Sequence, residues 1–193
     1  YGLAGMSRVV TLESRFVNVQ FYYPLSQQSW SGAPISTTQV INYRLTEDIH
    51  FNEIDSADRV TALNKFYNAS LLGEFDGGGY CLDYADTGER TWIFNEAAAG
   101  SQMHDLYVRN LPLGGTRTGY LGFIRQTAAN VMLKGIHFEN VTISEAYQYA
   151  GILAAYTQNA TIEDCTAVNV RITSSPQAQN LYTGGLIGSN ASN

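Results

Sequence analysis

The sequence predicts an all-β fold: a right-handed parallel β-helix closed at its N-terminal end by a cap. Three observations carry this expectation. A unit of about thirty residues recurs through the second half of the chain. Within each unit apolar residues alternate with polar ones, the period of a strand with one buried face. Gly and Asn punctuate the units, which suits sharp turns needing positive φ.

The repeat is clearest in two ungapped stretches, Gly122 to Ile143 (GFIRQTAANVMLKGIHFENVTI) and Gly151 to Ile172 (GILAAYTQNATIEDCTAVNVRI). They match Phe123 with Ile152, Ile124 with Leu153, Leu133 with Ile162 and Ile136 with Cys165. Phe138 with Ala167, Val141 with Val170 and Ile143 with Ile172 follow in the same frame. Trp92 to Leu113 fits upstream, with Asn110 at the place of Asn140 and Asn169. The last nine residues, GLIGSNASN from Gly185, open a further copy. Copies therefore start near 92, 122, 151 and 185. A helical solenoid would space its apolar residues by three and four, and would tolerate this much Gly, Thr and Asn poorly. A short strand-rich unit in tandem predicts coils whose equivalent residues stack.

Read in order, residues 1–70 form the cap and its lead-in strands, and residues 71–193 the coils. Phe16 to Tyr23 (FVNVQFYY) alternates as a strand, and Pro24 to Pro34 reads as a loop. Ser56 is a plausible N-cap for a short helix to Asn68, with Val60, Leu63 and Tyr67 at helical spacing. The stretch Glu74 to Tyr80 holds a tight corner. Phe75 fills the core, Asp76 caps the turn, and Gly77, Gly78 and Gly79 supply backbone angles closed to other residues. A phosphate cradle would need a following Lys-Ser or Lys-Thr, which is missing. An incomplete last coil leaves raw strand edges, so further coils or another chain are expected to cover them.

Composition narrows the function classes. The chain has 193 residues, 11 basic against 17 acidic, for a net charge of −6. That argues against a nucleic-acid binder, which needs clustered Lys and Arg. No apolar run is long enough to cross a bilayer as a helix. Cys81 and Cys165 fall about three coils apart, too far for a disulfide. Cys165 takes a core place in the frame.

No residue set forms a catalytic signature or a metal motif, and no cofactor is expected. His50, His104 and His137 occupy different places in the frame and make no His-Glu-x-x-His pattern. Asp48, Asp55 and Asp58 lack the EF-hand spacing. Carboxylates for sugar cleavage would be Asp105 with Glu163 or Asp164, or Asp76 with Asp83. Gly135 separates Asp105 from Asp164 by a whole coil, and no Lys or Arg is expected beside them. Sequons stand at Asn68, Asn140, Asn159 and Asn190, relevant only in a eukaryotic secretory pathway. Tyr147, Tyr149, Tyr156 and Tyr182, before or within turns, form a candidate sugar- or protein-binding stripe, or else pack against loops between coils.

Three stretches resemble the β-helical regions of bacterial surface proteins carrying the GLUG motif. They are Tyr43 to Phe51 (YRLTEDIHF), Leu71 to Leu82 (LLGEFDGGGYCL) and Gly184 to Asn190 (GGLIGSN). Similar segments occur in adhesin-like proteins and in the non-catalytic part of bacterial IgA-specific metallopeptidases. The likeness covers about residues 41–193. His50, Gly78 and Ala154 depart from the motifs. The resemblance implies a non-catalytic, stalk-like module, secreted or displayed on a cell surface, contacting a host protein or glycan. A carbohydrate-active β-helix enzyme, or a segment of a large secreted metallopeptidase, is the alternative.

Overall fold

The computed structural model describes residues 16–19, 40, 42–54, 69–115, 119–178 and 180–191. The helix expected over 56–68, and most of the expected cap, lie outside these residues. So do Asn68, Asp55 and Asp58.

The described chain is a β-solenoid of about four turns. β1 (Phe16–Val19) leads in. The next segments are β2 (Asn42–Leu45), β3 (Ile49–His50), a 3-10 turn at Phe51–Glu53, and β4 (Ala69–Leu71). One coil then holds β5 (Glu74–Asp76), β6 (Cys81–Asp83) and β7 (Trp92–Ala97). The following coil holds β8 (Gln102–Arg109), β9 (Pro112–Leu113) and β10 (Tyr120–Thr127). After it come β11 (Met132–Ala146), β12 (Tyr149–Gly151) and β13 (Ala154–Gln158). The last coil holds β14 (Thr161–Glu163), β15 (Thr166–Ser174), β16 (Tyr182–Gly184) and β17 (Ile187–Ala191).

Two parallel sheets result. One stacks β1-β2-β5-β8-β11-β14, with β15 also on β11; the other stacks β4, β7, β10, β13 and β17, with β12 and β16 joining at β10. No helix among the described residues is long and apolar enough to cross a membrane.

Register makes the core. Tyr43, Phe75, Met103, Leu133 and Ile162 stack in one inward column. Ile49, Leu82, Val108, Phe138 and Ala167 form a second. Between the sheets runs an aromatic chain of edge-to-face contacts. Its centroid distances are 5.8 Å for Phe75–Phe94, 5.4 Å for Phe94–Phe123 and 5.5 Å for Phe123–Phe138. All four rings are buried. Each contributes about 1.5–3 kcal/mol from burial, and the pair geometry adds to it.

Turns repeat as strictly as the core. Asn110, Asn140 and Asn169 all take left-handed backbone, with φ of 54°, 56° and 54°. Their side chains form a ladder. Asn169 Nδ2 donates to Asn140 Oδ1 at 2.6 Å, Asn140 Nδ2 to Asn110 Oδ1 at 3.2 Å, and Asn110 Nδ2 to Asp83 Oδ1 at 2.8 Å. Gly100, Asn130 and Asn159 form a second left-handed column, and Asp105, Gly135 and Asp164 a third. Asn and Asp hold this conformation at low cost because their short polar side chains bond locally.

The repeat frame holds from 92 to 143 with one residue step and from 132 to 172 with another: Leu106 faces Ile136, and Ile143 faces Ile172. Phe123 and Ile152 are neighbours in adjacent rungs, the Phe123 N–H donating to Ile152 O at 2.8 Å. Two places differ from the sequence frame. Strand pairing sets Ile124 opposite Ala154 instead of Leu153, because the chain bends at residues 152–153 and the register slips by one. The last copy begins at Gly184, not Gly185, since Gly184 is the partner of Gly151. A side chain at Gly184 would collide with Ile187 O, whereas one at Gly185 meets open space. The sequence has a Gly-Gly pair there, and only the packed one anchors the rung.

Cys81 lies opposite Tyr107, three rungs before the rung of Cys165, and both thiols are free. Burial pushes the Cys81 thiol up to about 12.

Candidate functional site

Outward positions of the solenoid gather functional groups into two places. The first lies on the sheet carrying β8 and β11. Register puts Arg44, Asp76, His104, Lys134 and Glu163 in one outward column. Arg44 Nε donates to Asp76 Oδ2 at 2.7 Å, and Lys134 pairs with Glu163 at 3.2 Å. That hydrogen bond with Glu163, with its charge, raises the Lys134 pKa. His104 is the hub. Its Nε2 meets Glu74 Oε1 at 2.9 Å, and its Nδ1 meets Asp105 Oδ2 at 2.9 Å and Asp76 Oδ1 at 3.7 Å. Burial works to lower its pKa, but the hydrogen bonds to Glu74 and Asp105 and the charges of Asp76 and Asp105 outweigh it, and the net shift is upward.

Asp76, His104 and Asp105 offer ligand atoms within 4.8 Å of one another. Arg44 holds Asp76, and His104 bridges Glu74 and Asp105. The arrangement ties two rungs together. Beside it lies a groove of about 470 Å³ lined by Asp76, Gly78, Gly79, Asp105, Tyr107 and His137. The glycine corner shapes its wall. Phe75 is buried, and the Gly78 N–H donates to Asp76 Oδ1 at 2.8 Å. Gly78 and Gly79 have positive φ, while a side chain at Gly77 would strike the backbone of Asp105 and Leu106.

The carboxylates group differently from the sequence pairing. Asp76 and Asp105 converge on His104, whereas Asp83 faces Arg109 and His50. Gly135 does separate Asp105 from Asp164. A cation nonetheless stands beside them, contrary to expectation: Lys134 feels Glu163, Asp164 and Asp105 together. Its place became visible only in register, which sets Lys134 opposite Glu163 of the next rung.

The second place is aromatic. Tyr149 stacks on Tyr182 with centroids 5.2 Å apart and rings 14° from parallel. Tyr156 meets Tyr149 edge-on at 5.8 Å. Tyr149, Tyr156 and Tyr182 therefore form one cluster; Tyr147 is half-buried and outside these ring contacts. The column contains one residue missed by the sequence reading. Tyr120 lies opposite Tyr149 and stacks on it at 5.1 Å. Its signal was present: Tyr120 sits two residues before Gly122, as Tyr149 sits two before Gly151 and Tyr182 two before Gly184. A frame started at the glycine does not reach it. Beside the column, Arg125 lies over the Tyr120 ring at 4.9 Å and the Trp92 ring at 5.4 Å. Tyr182 is half exposed, and the other rings are partly exposed.

Comparison with known protein families, with curated proteins and with solved structures finds no match to this chain.

Proposed function

We propose that this chain is a non-catalytic β-solenoid module of a secreted or cell-surface bacterial protein, a stiff spacer that binds a glycan on its tyrosine face. The observation that carries the reading is the column Tyr120–Tyr149–Tyr182, with Tyr156 edge-on to it. Its rings recur once per rung, so their edges and hydroxyls repeat at about the 4.8 Å strand spacing. A regular row of amphipathic ring edges suits a polymer of repeating rings, with apolar edges for packing and hydroxyls for bonding. The continuous stacking of parallel rungs supports the spacer role, because each rung contacts only its neighbours and stiffness runs along the axis. The resemblance to GLUG-motif surface proteins supports the location.

A glycan array screened with the whole chain tests this. Tyr149 is the central ring, so Tyr149→Ala should weaken the bound glycan about tenfold, roughly the worth of one aromatic contact. A normal array signal with Tyr149→Ala would remove the face from the reading. Capture of a protein and no glycan would redirect it to a protein ligand. One observation favours the enzyme alternative: Asp76 and Asp105 flank His104 beside a groove. Polysaccharide cleavage that disappears in Asp105→Asn would establish that alternative in its place.

A further inference from the structure

One cation beside the tyrosine column has no counter-charge. Three described cations are balanced in register: Arg44 with Asp76, Arg109 with Glu139, and Lys134 with Glu163. Arg125 has no carboxylate partner among the described residues. It is instead fixed by neutral groups. Its guanidinium lies over Trp92 and Tyr120, and Nη1 donates to Asn95 Oδ1 at 3.2 Å. Trp92 faces Gly122 from the preceding rung, so the arginine is gripped by two rungs at once.

The chemistry of this arrangement is specific. A guanidinium engaged through its face keeps its edge, a planar fork of N–H donors, for a planar acceptor. One N–H is used by Asn95. Stacking on two rings restricts the side chain before any ligand arrives, which lowers the entropy lost on binding. The chain carries a net charge of −6, so an anionic ligand is drawn to a cation that no carboxylate already holds. The neighbouring rings at Tyr120 and Tyr149 then offer surface for the rest of the ligand.

We infer that Arg125 is the anion-reading residue of the tyrosine face, and that the ligand class is an acidic glycan whose carboxylate sits on the Arg125 fork while its sugar rings pack along Tyr120 and Tyr149. The inference rests on the glycan-binding reading above and narrows it to hexuronate-bearing chains.

Isothermal titration calorimetry on the whole chain tests it with three probes. These are oligosaccharides containing glucuronate or galacturonate, the methyl esters of the same oligosaccharides, and their neutral parent sugars. Wild-type protein should bind the free acids at least tenfold more tightly than the esters, the worth of a charge-assisted hydrogen bond, and added salt should narrow the gap. Arg125→Gln should erase the preference for the acid while leaving affinity for the neutral sugars in place, a result that simple loss of packing does not give. Arg125→Lys keeps the charge and loses the fork, so it should retain only part of the preference. It also serves if Arg125→Gln fails to fold. Equal affinity for acid and ester in the wild type overturns the inference and leaves the glycan-binding face standing. An acid preference that persists in both Arg125 variants overturns it too. Failure of every sugar to bind overturns both readings.

Discussion

Replacing Asn140 separates two contributions that the asparagine ladder combines. The residue sits at φ 56° and makes two ladder bonds, donating to Asn110 at 3.2 Å and accepting from Asn169 at 2.6 Å. Each side-chain bond is worth about 0.5–1.5 kcal/mol net. The side chain is exposed, so the low half of that range applies, and losing both costs about 1–2 kcal/mol. Asn140→Gly pays that cost while keeping a residue at ease in left-handed backbone. Asn140→Ala loses the same bonds and also forces alanine into the left-handed region, at about 1–2 kcal/mol more. The alanine variant should thus lose about 2–4 kcal/mol in all, on the order of 6–12 °C in Tm for a domain of this size. The assay is urea unfolding followed by circular dichroism, with the three proteins compared at matched slope so that midpoints report stability. If Asn140→Gly unfolds no later than Asn140→Ala, the left-handed turn is not what selects asparagine, and the account of the turn columns fails.

Two further predictions test the core and the charged column. Phe123→Ala opens the aromatic chain in its middle and should cost about 3–5 kcal/mol in urea unfolding, whereas Phe123→Leu, which keeps most of the volume but loses the Phe94 and Phe138 ring contacts, should cost about 1–2; a Phe123→Leu protein as stable as the wild type would show that the edge-to-face pairs add nothing. His104 has a folded pKa above the ordinary 6.5, so its bridge among Glu74, Asp76 and Asp105 contributes fully below about pH 6.5 and is lost as pH rises through the folded value. Unfolding midpoints should therefore fall with rising pH across that window in the wild type and stay flatter in His104→Gln; parallel profiles for the two proteins would refute the bridge.

The fold was legible because its determinants recur. Inward places such as Leu106, Ile136 and Cys165 must stay apolar in each coil, and turn places such as Asn110, Asn140 and Asn169 must tolerate positive φ. Both demands leave a period in the text of the sequence. Register was legible only where the period was constant. The bend after Gly151 and the doubled glycine at Gly184–Gly185 each shift it by one, and which glycine is packed depends on contacts with the neighbouring rung. The tyrosine cluster was half legible. Tyr149, Tyr156 and Tyr182 stood out as aromatics near turns, but Tyr120 and Arg125 belong to the site only through stacking across rungs. The His104 hub was hidden for the same reason. Glu74 and Asp76 lie 30 and 28 residues before it, because the glycine corner changes the local step.

Parallel stacking also explains why chemistry in this chain is harder to read than architecture. Equivalent residues of successive coils lie about 4.8 Å apart, so an outward charge repeated faithfully would face its own copies and repel them. The outward columns change sign or character instead. Arg44, Asp76, His104, Lys134 and Glu163 follow one another in the first, and His50, Asp83, Arg109, Glu139 and Val168 in the second. In the third, Gly135 keeps Asp105 and Asp164 apart. Uncharged groups are exempt: identical rings stack favourably and identical amides hydrogen-bond, so the tyrosine column and the asparagine ladder do repeat outward. Sequence periodicity in such a solenoid therefore reports the core, the turns and stacked aromatics, while charged sites are found where the period breaks. On that logic Arg125, which has no equivalent cation in register at Asn95 or Ala155, is the position where a binding specificity is expected to be written.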